Sequence, residues 1–376
     1  MSLLELKDLY DGFRDPEVIK GFQKLIEQEA QKLPRTINIM EVCGGHTHTI
    51  MKYGLTQLLP KNINFIHGPG CPVCIMPKER IDHAYALSMQ SDVILLTLGD
   101  MIKVPGSLGS LQDARAKGAD VRYVYSPMDA LKVAEENPDK KIIFFAIGFE
   151  TTTPMTAALI DSVLKQDIKN IFFHINHVTV PEAMELLIEG RDNTHCIDAF
   201  IGPAHVSVIS GAKIYEIFPT KYHIPVVVSG FEPVDVMESI YMIVKQFNEG
   251  RSDLEVQYKR LVTYEGNLKA QALIEKYFEK VDLFKWRGIG HIPNSALKLR
   301  DEYAAYDAEV IYKAILPYEE IDDHKLCICG NILRGLAKPQ ECSVFGTACK
   351  PSSPLGSCMV SSEGACAAYY KYGNLI

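Results

Sequence analysis

Residues 63–77, which read Ile-Asn-Phe-Ile-His-Gly-Pro-Gly-Cys-Pro-Val-Cys-Ile-Met-Pro, decide the fold that we expect for the whole chain. The apolar run at residues 63–66 predicts a short buried strand, and the glycine- and proline-rich turn that follows ends it. The apolar spacing of a helix begins just after Pro77. Cys71 and Cys74 therefore lie between a strand and a helix, close enough to form a disulfide or to share one metal ion. We expect the helix N-terminus to favour the reactive thiolate; a pair of buried structural cysteines is the alternative.

The composition is that of an ordinary globular protein. The 376 residues include 47% hydrophobic and 23% charged residues, and the formal net charge is −8. Because the chain has no dense basic run, we expect neither nucleic acid nor an anionic membrane as a partner. The sequence shows no signal-peptide pattern and no apolar stretch of about 18 residues, so we expect a cytoplasmic protein.

The ten cysteines are unevenly distributed. Cys43, Cys71 and Cys74 lie near the front of the chain, Cys196 stands alone, and six more fall between Cys327 and Cys366. A disulfide framework is not expected in a cytoplasmic protein, and clusters of this kind indicate metal or redox chemistry. We interpret the isolated Cys196 as a small buried hydrophobic residue.

The strand–turn–helix pattern of the opening stretch recurs along the chain. Further strands are predicted at residues 36–42, 93–97, 121–125, 142–147 and 226–229. Turns rich in glycine, proline or aspartate end these strands, and helical patterns alternate with them. Alternation of this kind predicts an α/β fold with mostly parallel sheets.

The middle third of the chain resembles the first third. Residues 142–154 repeat the strand and turn that carry Cys43, and residues 200–208 repeat residues 65–74. We therefore predict two related α/β domains, at residues 1–140 and 141–235.

The second copy lacks the thiols of the first copy. Gly148, His205 and Val208 stand where the first copy has Cys43, Cys71 and Cys74. Since the predicted fold forms without thiols at these positions, we interpret the three cysteines as chemical rather than structural.

The last third is predicted to contain a helical connector and a cysteine-rich domain. Residues 236–320 carry apolar residues at helical spacing. Residues 321–376 present six thiols among glycines and prolines, namely Cys327, Cys329, Cys342, Cys349, Cys358 and Cys366. We favour one [4Fe–4S] cluster held by four of the six. Two zinc sites are the competing interpretation, although the paired C-x2-C spacing of structural zinc is missing.

Two further side chains are candidates for the site around Cys43. His46 can bind iron or shuttle protons there, or it can simply hydrogen-bond the loop. Glu150 can face Cys43 across a domain cleft as an acid, base or docking group, or it can cap a helix together with the threonines that follow it. The sequence leaves both pairs of alternatives open.

Four stretches, in chain order, resemble the HypD family of hydrogenase maturation factors: Cys43-Gly-Gly-His-Thr-His48, Gly68-Pro-Gly-Cys-Pro-Val-Cys74, Gly148-Phe-Glu-Thr-Thr-Thr-Pro154 and Cys358-Met-Val-Ser-Ser-Glu-Gly-Ala-Cys366. The resemblance extends over essentially the whole chain. It implies a scaffold that assembles the Fe(CN)2CO fragment of [NiFe]-hydrogenase with a small HypC-type partner and a HypE-type cyanide donor. It also implies that Cys43, Cys71 and Cys74 handle the iron and that the C-terminal cysteines hold the [4Fe–4S] cluster.

The chemistry of the thiols agrees with this resemblance. Low-spin iron(II) that carries cyanide and CO is a soft centre, for which thiolates are suitable ligands. Release of cyanide from a thiocyanate consumes two electrons, which the Cys71 and Cys74 dithiol supplies when it closes to a disulfide. We therefore expect a maturation scaffold that also transfers cyanide reductively to iron. The alternative is an iron–sulfur-dependent thiol–disulfide reductase, which needs Cys71 and Cys74 but not Cys43.

Overall fold

The computed structural model describes residues 11–189 and 197–373, so Cys196 lies outside the described residues. Within this part of the chain the strands are Ile37–Glu41 (β1), Ile63–His67 (β2), Val93–Leu98 (β3), Asp120–Val124 (β4), Lys141–Gly148 (β5), Ile171–His177 (β6), Ala199–Pro203 (β7), Val226–Ser229 (β8), Leu254–Val256 (β9), Phe278–Lys280 (β10), Leu283–Trp286 (β11), Gly290–Pro293 (β12) and Leu297–Leu299 (β13). The α-helices are Pro16–Ala30 (α1), Gly44–Lys52 (α2), Pro72–Ile75 (α3), Lys78–Ser88 (α4), Leu111–Ala116 (α5), Asp129–Glu136 (α6), Thr153–Lys165 (α7), Val180–Glu189 (α8), Ala204–Ser210 (α9), Ile217–Lys221 (α10), Pro233–Asn248 (α11), Leu268–Tyr277 (α12), Ala308–Ile311 (α13), Cys329–Leu333 (α14) and Ala365–Tyr372 (α15).

Nine of these strands form two parallel sheets. Sheet 1 has the order β2-β1-β7-β8-β9, and sheet 2 has the order β4-β3-β5-β6. All of their strand pairs are parallel. In sheet 1 the register places Glu41 opposite His67, at the carboxyl ends of β1 and β2. The predicted α/β class with parallel sheets is therefore confirmed.

Burial explains why these apolar runs form strands. Residues 142–148 of β5 are all buried, as are all four residues of β8. A parallel sheet that is covered on both faces needs such continuous apolar strands. On one face of sheet 1, Val236, Ile240 and Val244 of α11 share a core with Ile26 of α1.

The strands are grouped differently from the two domains that we expected. The expected boundary at residue 140 falls between β4 and β5, which belong to the same sheet because β3 pairs with both. The chain starts in sheet 1, builds the whole of sheet 2, and returns to sheet 1 at β7. Each parallel pair needs a long crossover connection, and a sequence pattern does not reveal which sheet a strand joins after a crossover.

The internal repeat is not confirmed. The repeat makes β5 the counterpart of β1 and β7 the counterpart of β2, so β5 and β7 should be neighbours. Instead β5 lies in sheet 2 and β7 lies next to β1 in sheet 1. The two segments have similar sequence patterns because they have the same local structure: a buried strand ends in a tight turn, and a helix starts after the turn.

The helical connector at residues 236–320 requires a correction. α11 and α12 are present, but the segment also contains β9 and two small antiparallel pairs, β10 with β13 and β11 with β12. The turn between β11 and β12 includes Gly288, whose φ of 75° suits glycine. Strands of three or four residues are too short to show alternation, so helical periodicity dominated the pattern.

The cysteine-rich segment packs against the carboxyl edge of sheet 1. The Ser357 hydroxyl donates to the carbonyl oxygen of Cys74 at 2.5 Å. Ala368 and Tyr369 of α15 form a small core with Met51 of α2. Among the helices of the described segments, none combines the length and the apolarity needed to cross a membrane.

A close backbone approach joins the loops that follow β1 and β2. The Gly44 amide donates to the Gly70 carbonyl at 3.0 Å. A Cβ atom at Gly70 would lie 2.3 Å from the backbone nitrogen and Cα of Cys43. Only glycine fits at this position, so the two cysteine-bearing loops touch without an intervening side chain.

We predict that Gly70→Ala lowers the free energy of unfolding by about 1–3 kcal/mol, the usual cost of overpacking. The matched control is Gly21→Ala on α1, where a Cβ meets no atom within 4 Å. That change should stabilise the protein by roughly 0.5–1 kcal/mol, because alanine is the better helix former. Anaerobic urea unfolding measures both changes, and a Gly70→Ala protein as stable as the wild type would contradict the packing described here.

Candidate thiol and metal centre

Three chemically active residues meet at the carboxyl edge of sheet 1. Cys43 follows β1, Cys71 follows β2 and His205 follows β7. Since β1 lies between β2 and β7, the loop of Cys43 is flanked by the other two loops. Ligand sites in open parallel sheets lie at this edge, where the loops converge.

Cys43 is the N-cap residue of α2 and is only 4% exposed. Its Sγ accepts a hydrogen bond from the Gly45 amide at 3.4 Å, and its own amide donates to Glu41 Oε2 at 3.0 Å. Burial, and then the negative charge of Glu363, raises the pKa of the Cys43 thiol well above its usual range. Cys43 is therefore a protonated thiol in the free protein, and a metal ion has to displace that proton.

His205 is a member of this site that our sequence analysis did not identify. Both of its ring nitrogens lie 4.0 Å from Cys43 Sγ. Burial lowers the pKa of His205 to about 4, so its imidazole is neutral near pH 7. The only available signal was that His205 follows a Gly-Pro turn like the one that precedes Cys71.

His46 and His205 both pack against the ring of Phe231. The Phe231 ring is stacked on His46 at 4.6 Å between centroids and tilted against His205 at 4.9 Å. His46 Nε2 donates to the Gly230 carbonyl at 2.9 Å, while burial lowers the pKa of His46 to about 4. This bond is the one expected from a loop-stabilising residue, although the buried Nδ1 atom of His46 has no partner among the described residues.

A buried network of polar side chains holds the loop of Cys43 in place. Glu41 Oε1 accepts hydrogen bonds from Thr47 Oγ1 at 2.5 Å and from His67 Nδ1 at 2.6 Å. The other ring nitrogen of His67 accepts from the Tyr369 hydroxyl at 3.0 Å when Nδ1 carries the proton. The network joins β1, α2 and β2 to α15 of the cysteine-rich segment.

Cys71 and Cys74 lie together at the start of α3. The Cys74 amide donates to Cys71 Sγ at 3.3 Å, and both side chains are buried. Burial, and then hydrogen bonds to Cys358 and Cys71, raises the pKa of Cys74 well above its usual value. The expected stabilisation of a thiolate is therefore wrong for Cys74, because burial outweighs the effect of the helix N-terminus.

The C-terminal thiols continue from the Cys71 and Cys74 pair. Cys74 lies next to Cys358, and Cys358 lies next to Cys329, so that the thiols of each pair influence each other's pKa. Cys329 in turn lies next to Cys327 and Cys366. The hydrogen bonds from Cys329 and Cys74 lower the pKa of Cys358 to about 6. An unbroken series of sulfur atoms therefore runs from the edge of sheet 1 into the cysteine-rich segment.

The cysteine-rich segment fits a thiolate-held metal centre. A Cβ atom at Gly356 would lie 2.5 Å from Cys327 Sγ and 2.6 Å from Cys329 Sγ, so this glycine leaves the sulfur atoms free to converge. Cys349 Sγ accepts from the Leu355 amide at 3.4 Å, as cluster-bound sulfurs commonly do. The remaining candidate, Cys342, donates to the Leu326 carbonyl at 3.7 Å.

Glu150 lies at the carboxyl edge of sheet 2 and forms no described hydrogen bond with Cys43. Its Oε1 accepts from the Val180 amide at 2.9 Å, and its buried Oε2 has no partner among the described residues. Burial raises the pKa of Glu150 from 4.5 to about 7. Burial, and then the negative charge of Glu150, raises the pKa of Tyr215 well above its usual value.

Comparison with known proteins identifies relatives along nearly the whole chain. The family model described as "HypD: Hydrogenase formation hypA family" matches residues 17–373. Hydrogenase maturation factor HypD2 of Bradyrhizobium diazoefficiens is 50% identical over 369 residues, which cover 96% of both chains. Hydrogenase maturation factor HypD of Azotobacter vinelandii is 49% identical over 367 residues, again 96% of both chains. The HypD of Escherichia coli is 45% identical over 366 residues, 96% of this chain and 97% of the relative.

We predict that Glu150→Gln becomes progressively more stabilising, relative to the wild type, as the pH rises. The folded protein holds the Glu150 proton up to about pH 7, whereas the unfolded chain releases it near pH 4.5. Wild-type stability therefore falls through this pH window, and glutamine removes the loss while still accepting the Val180 hydrogen bond. The difference in unfolding free energy should grow by roughly 2 kcal/mol between pH 5 and pH 8.

Urea unfolding at both pH values measures this difference. Glu17→Gln is the control, because the Glu17 side chain is 78% exposed and should give a difference that hardly depends on pH. If the difference in unfolding free energy from the wild type changed equally with pH for Glu150→Gln and Glu17→Gln, the raised pKa of Glu150 would be contradicted.

Proposed function

Because the chain belongs to the HypD family of hydrogenase maturation factors, we propose that it is the scaffold on which the Fe(CN)2CO fragment of [NiFe]-hydrogenase is assembled. In this proposal Cys43 binds the iron, a small HypC-type protein supplies a further ligand, and a HypE-type protein delivers cyanide. The observation that carries the proposal is the series of neighbouring sulfur atoms, which links the thiols at sheet 1 to the C-terminal cysteines. A protein whose only role was to bind a partner would not need such a series of sulfur atoms.

Cys43 is suited to hold an iron atom that still has to receive ligands. It is a lone thiol at the edge of a sheet, with Gly44 and Gly45 directly after it. A single protein thiolate leaves coordination positions open, unlike the closed four-ligand shell of a structural metal site. Burial keeps competing water away from those positions and strengthens the electrostatic interactions within the site.

The Cys71 and Cys74 pair is suited to supply two electrons. In the proposed step a thiocyanate on the cyanide donor reacts with the dithiol: R–SCN + 2 Cys–SH → R–SH + HCN + Cys–S–S–Cys. The S–C bond of the thiocyanate breaks, the disulfide bond forms, and cyanide leaves for the iron. The adjacent positions of the two thiols, at the start of α3, make this closure possible without large movement.

The C-terminal cysteines are suited to reduce that disulfide. We propose that four of them bind a [4Fe–4S] cluster, which supplies electrons one at a time. Cys358 is in contact with Cys74, so electrons need not cross the protein surface. Because Cys74 and Cys358 are each almost fully buried, the path between them excludes water.

An iron–sulfur-dependent thiol–disulfide reductase would use the same dithiol and the same cluster. It would give no role to the thiol of Cys43 or to the close packing of its loop against Gly70. The behaviour of Cys43 therefore separates the two functions.

We predict that Cys71 and Cys74 exchange between dithiol and disulfide in a single two-electron transition. Thiol trapping in graded redox buffers, with an alkylating reagent added under denaturing conditions, should detect the transition because the folded protein shields both thiols. Cys71→Ser should abolish it, and Cys43→Ala should leave it intact. Two thiols that remain reduced at every potential would be structural, against our proposal.

We predict that Cys43→Ala abolishes the cyanide and CO infrared bands of the complex with the small partner protein. Alanine removes the sulfur without adding bulk, so the fold and the C-terminal cluster should persist. Iron and sulfide analysis after anaerobic reconstitution provides the control, with equal cluster content in both proteins. Bands at wild-type intensity in Cys43→Ala would mean that iron is held elsewhere, and zinc uptake without sulfide would exclude the cluster.

A further inference from the structure

The outer edge of β2 has no neighbouring strand in the described part of the chain. β2 is the first strand of sheet 1 and pairs with β1 alone. The Ile37 amide of β1 donates to the Asn62 carbonyl at 2.9 Å. Because hydrogen bonds to one neighbour alternate along a strand, residues 62, 64 and 66 bond to β1. Residues 63, 65 and 67 therefore turn their backbone groups outward.

Some of these outward groups have no hydrogen-bond partner among the described residues. The Ile63 amide donates to the Pro60 carbonyl at 3.0 Å, but the Ile63 carbonyl accepts no bond. The amide and the carbonyl of Phe65 are both unpaired. Phe65 is only 5% exposed, so water compensates these groups poorly. The edge of β2 is therefore ready to pair with one further strand.

A cavity of about 260 Å³ lies along this edge, and we call it the β2-edge cavity. Its walls come from three parts of the chain: β2, the turn after α2 and the cysteine-rich segment. Residues that line it include Phe65, Thr56, Lys338, Gln340 and Tyr369. The hydroxyl of Thr56 is buried and has no partner among the described residues. The cavity thus adds an unsatisfied side-chain group to the unsatisfied backbone groups of β2.

The charge in the β2-edge cavity is positive and unbalanced. Lys338 lines the cavity, and none of the lining residues is acidic. Lys338 forms no ion pair with a carboxylate of the described residues. The chain as a whole has a net charge of −8, so this cationic cavity differs from most of the surface. A carboxylate on an incoming segment would complement it.

We infer that the β2-edge cavity binds an extended segment of a partner protein, which adds as a strand to sheet 1 and places a carboxylate beside Lys338. In recognition of this kind, main-chain hydrogen bonds give affinity and side-chain contacts give specificity. The inference takes its partner proteins from the proposed function. Since β2 leads directly into the loop of Cys71, a protein held at this edge lies close to the dithiol.

The chemistry of the cavity argues against other occupants. A helix bonds its backbone groups internally and would leave those of Phe65 unpaired. A small anion would pair with Lys338 but would not satisfy the edge of β2. A second copy of this chain, joined edge to edge by a two-fold axis, would bring two cavities without a lining carboxylate together.

The first test is residue-resolved hydrogen exchange on the full-length chain, alone and with the small partner protein or the cyanide donor added singly. In the free chain the Phe65 amide should exchange at least about tenfold faster than the amides of Asn64 and Ile66, which bond to β1. One of the two partners should slow the Phe65 amide at least about tenfold and leave the other two unchanged.

The second test is the affinity of the same partner for charge and size variants, measured by calorimetry. Lys338→Glu should weaken binding severalfold, whereas Lys61→Glu, which reverses an exposed charge outside the cavity, should not. Gln340→Trp should fill the cavity and weaken binding at least about tenfold. Gln166→Trp makes the same change at an exposed position directly after α7 and should leave the affinity unchanged.

Each contrary result has a distinct meaning. If a complex forms while Phe65 exchanges as in the free chain, the partner docks elsewhere, and this inference is overturned while the proposed function stands. Slow exchange of Phe65 in the chain alone also overturns it. A second copy then covers the edge if the slowing depends on chain concentration, and the chain itself covers it otherwise. If neither protein forms a complex, the partnership in the proposed function fails, and this inference fails with it.

Discussion

The buried carboxylate of Glu41 is the interaction on which the arrangement of the site depends. It lies at the end of β1 with no exposure to solvent, where an unpaired charge would be very costly. The cost is offset because its two oxygens accept hydrogen bonds from the Cys43 amide, the Thr47 hydroxyl and the His67 ring. Through His67 the network reaches Tyr369 on α15. One carboxylate therefore fixes the loop of Cys43 and also docks the cysteine-rich segment against it.

The docking of the cysteine-rich segment buries the thiols, and this burial shifts their pKa values. Cys43, Cys71, Cys74 and Cys358 are all at most 4% exposed, so they share an interior in which charge is disfavoured. Burial raises the pKa of Cys43 and Cys74, whereas hydrogen bonds from two neighbouring thiols lower the pKa of Cys358. The thiol whose pKa is lowered, Cys358, therefore lies on the side of the cysteine-rich segment. In the function that we propose, a protonated Cys74 limits unwanted oxidation of the dithiol before the substrate binds.

The positions of most strands in the two parallel sheets can be predicted from the sequence. Each of these strands is a short apolar run that ends in a glycine- or proline-rich turn, and this pattern is local. The strands that lead to Cys43 and Cys71 were located in this way. Sheet membership could not be predicted, since β5 and β7 have similar patterns yet join different sheets. The strands β10–β13 were too short to display a period. His205 was missed because its importance comes from a neighbour 162 positions away in sequence, which no local pattern contains.

The course of the chain between the sheets explains how such distant residues meet. The chain leaves sheet 1 after β2, builds sheet 2, and returns with β7 on the free side of β1. Had the chain continued from β2 by local pairing alone, β1 would remain an edge strand and Cys43 would have a partner loop on one side only. The return of β7 places the end of that strand and His205 beside Cys43, opposite the turn that carries Cys71. In the function that we propose, this position lets Cys43 bind iron directly beside the dithiol that supplies electrons.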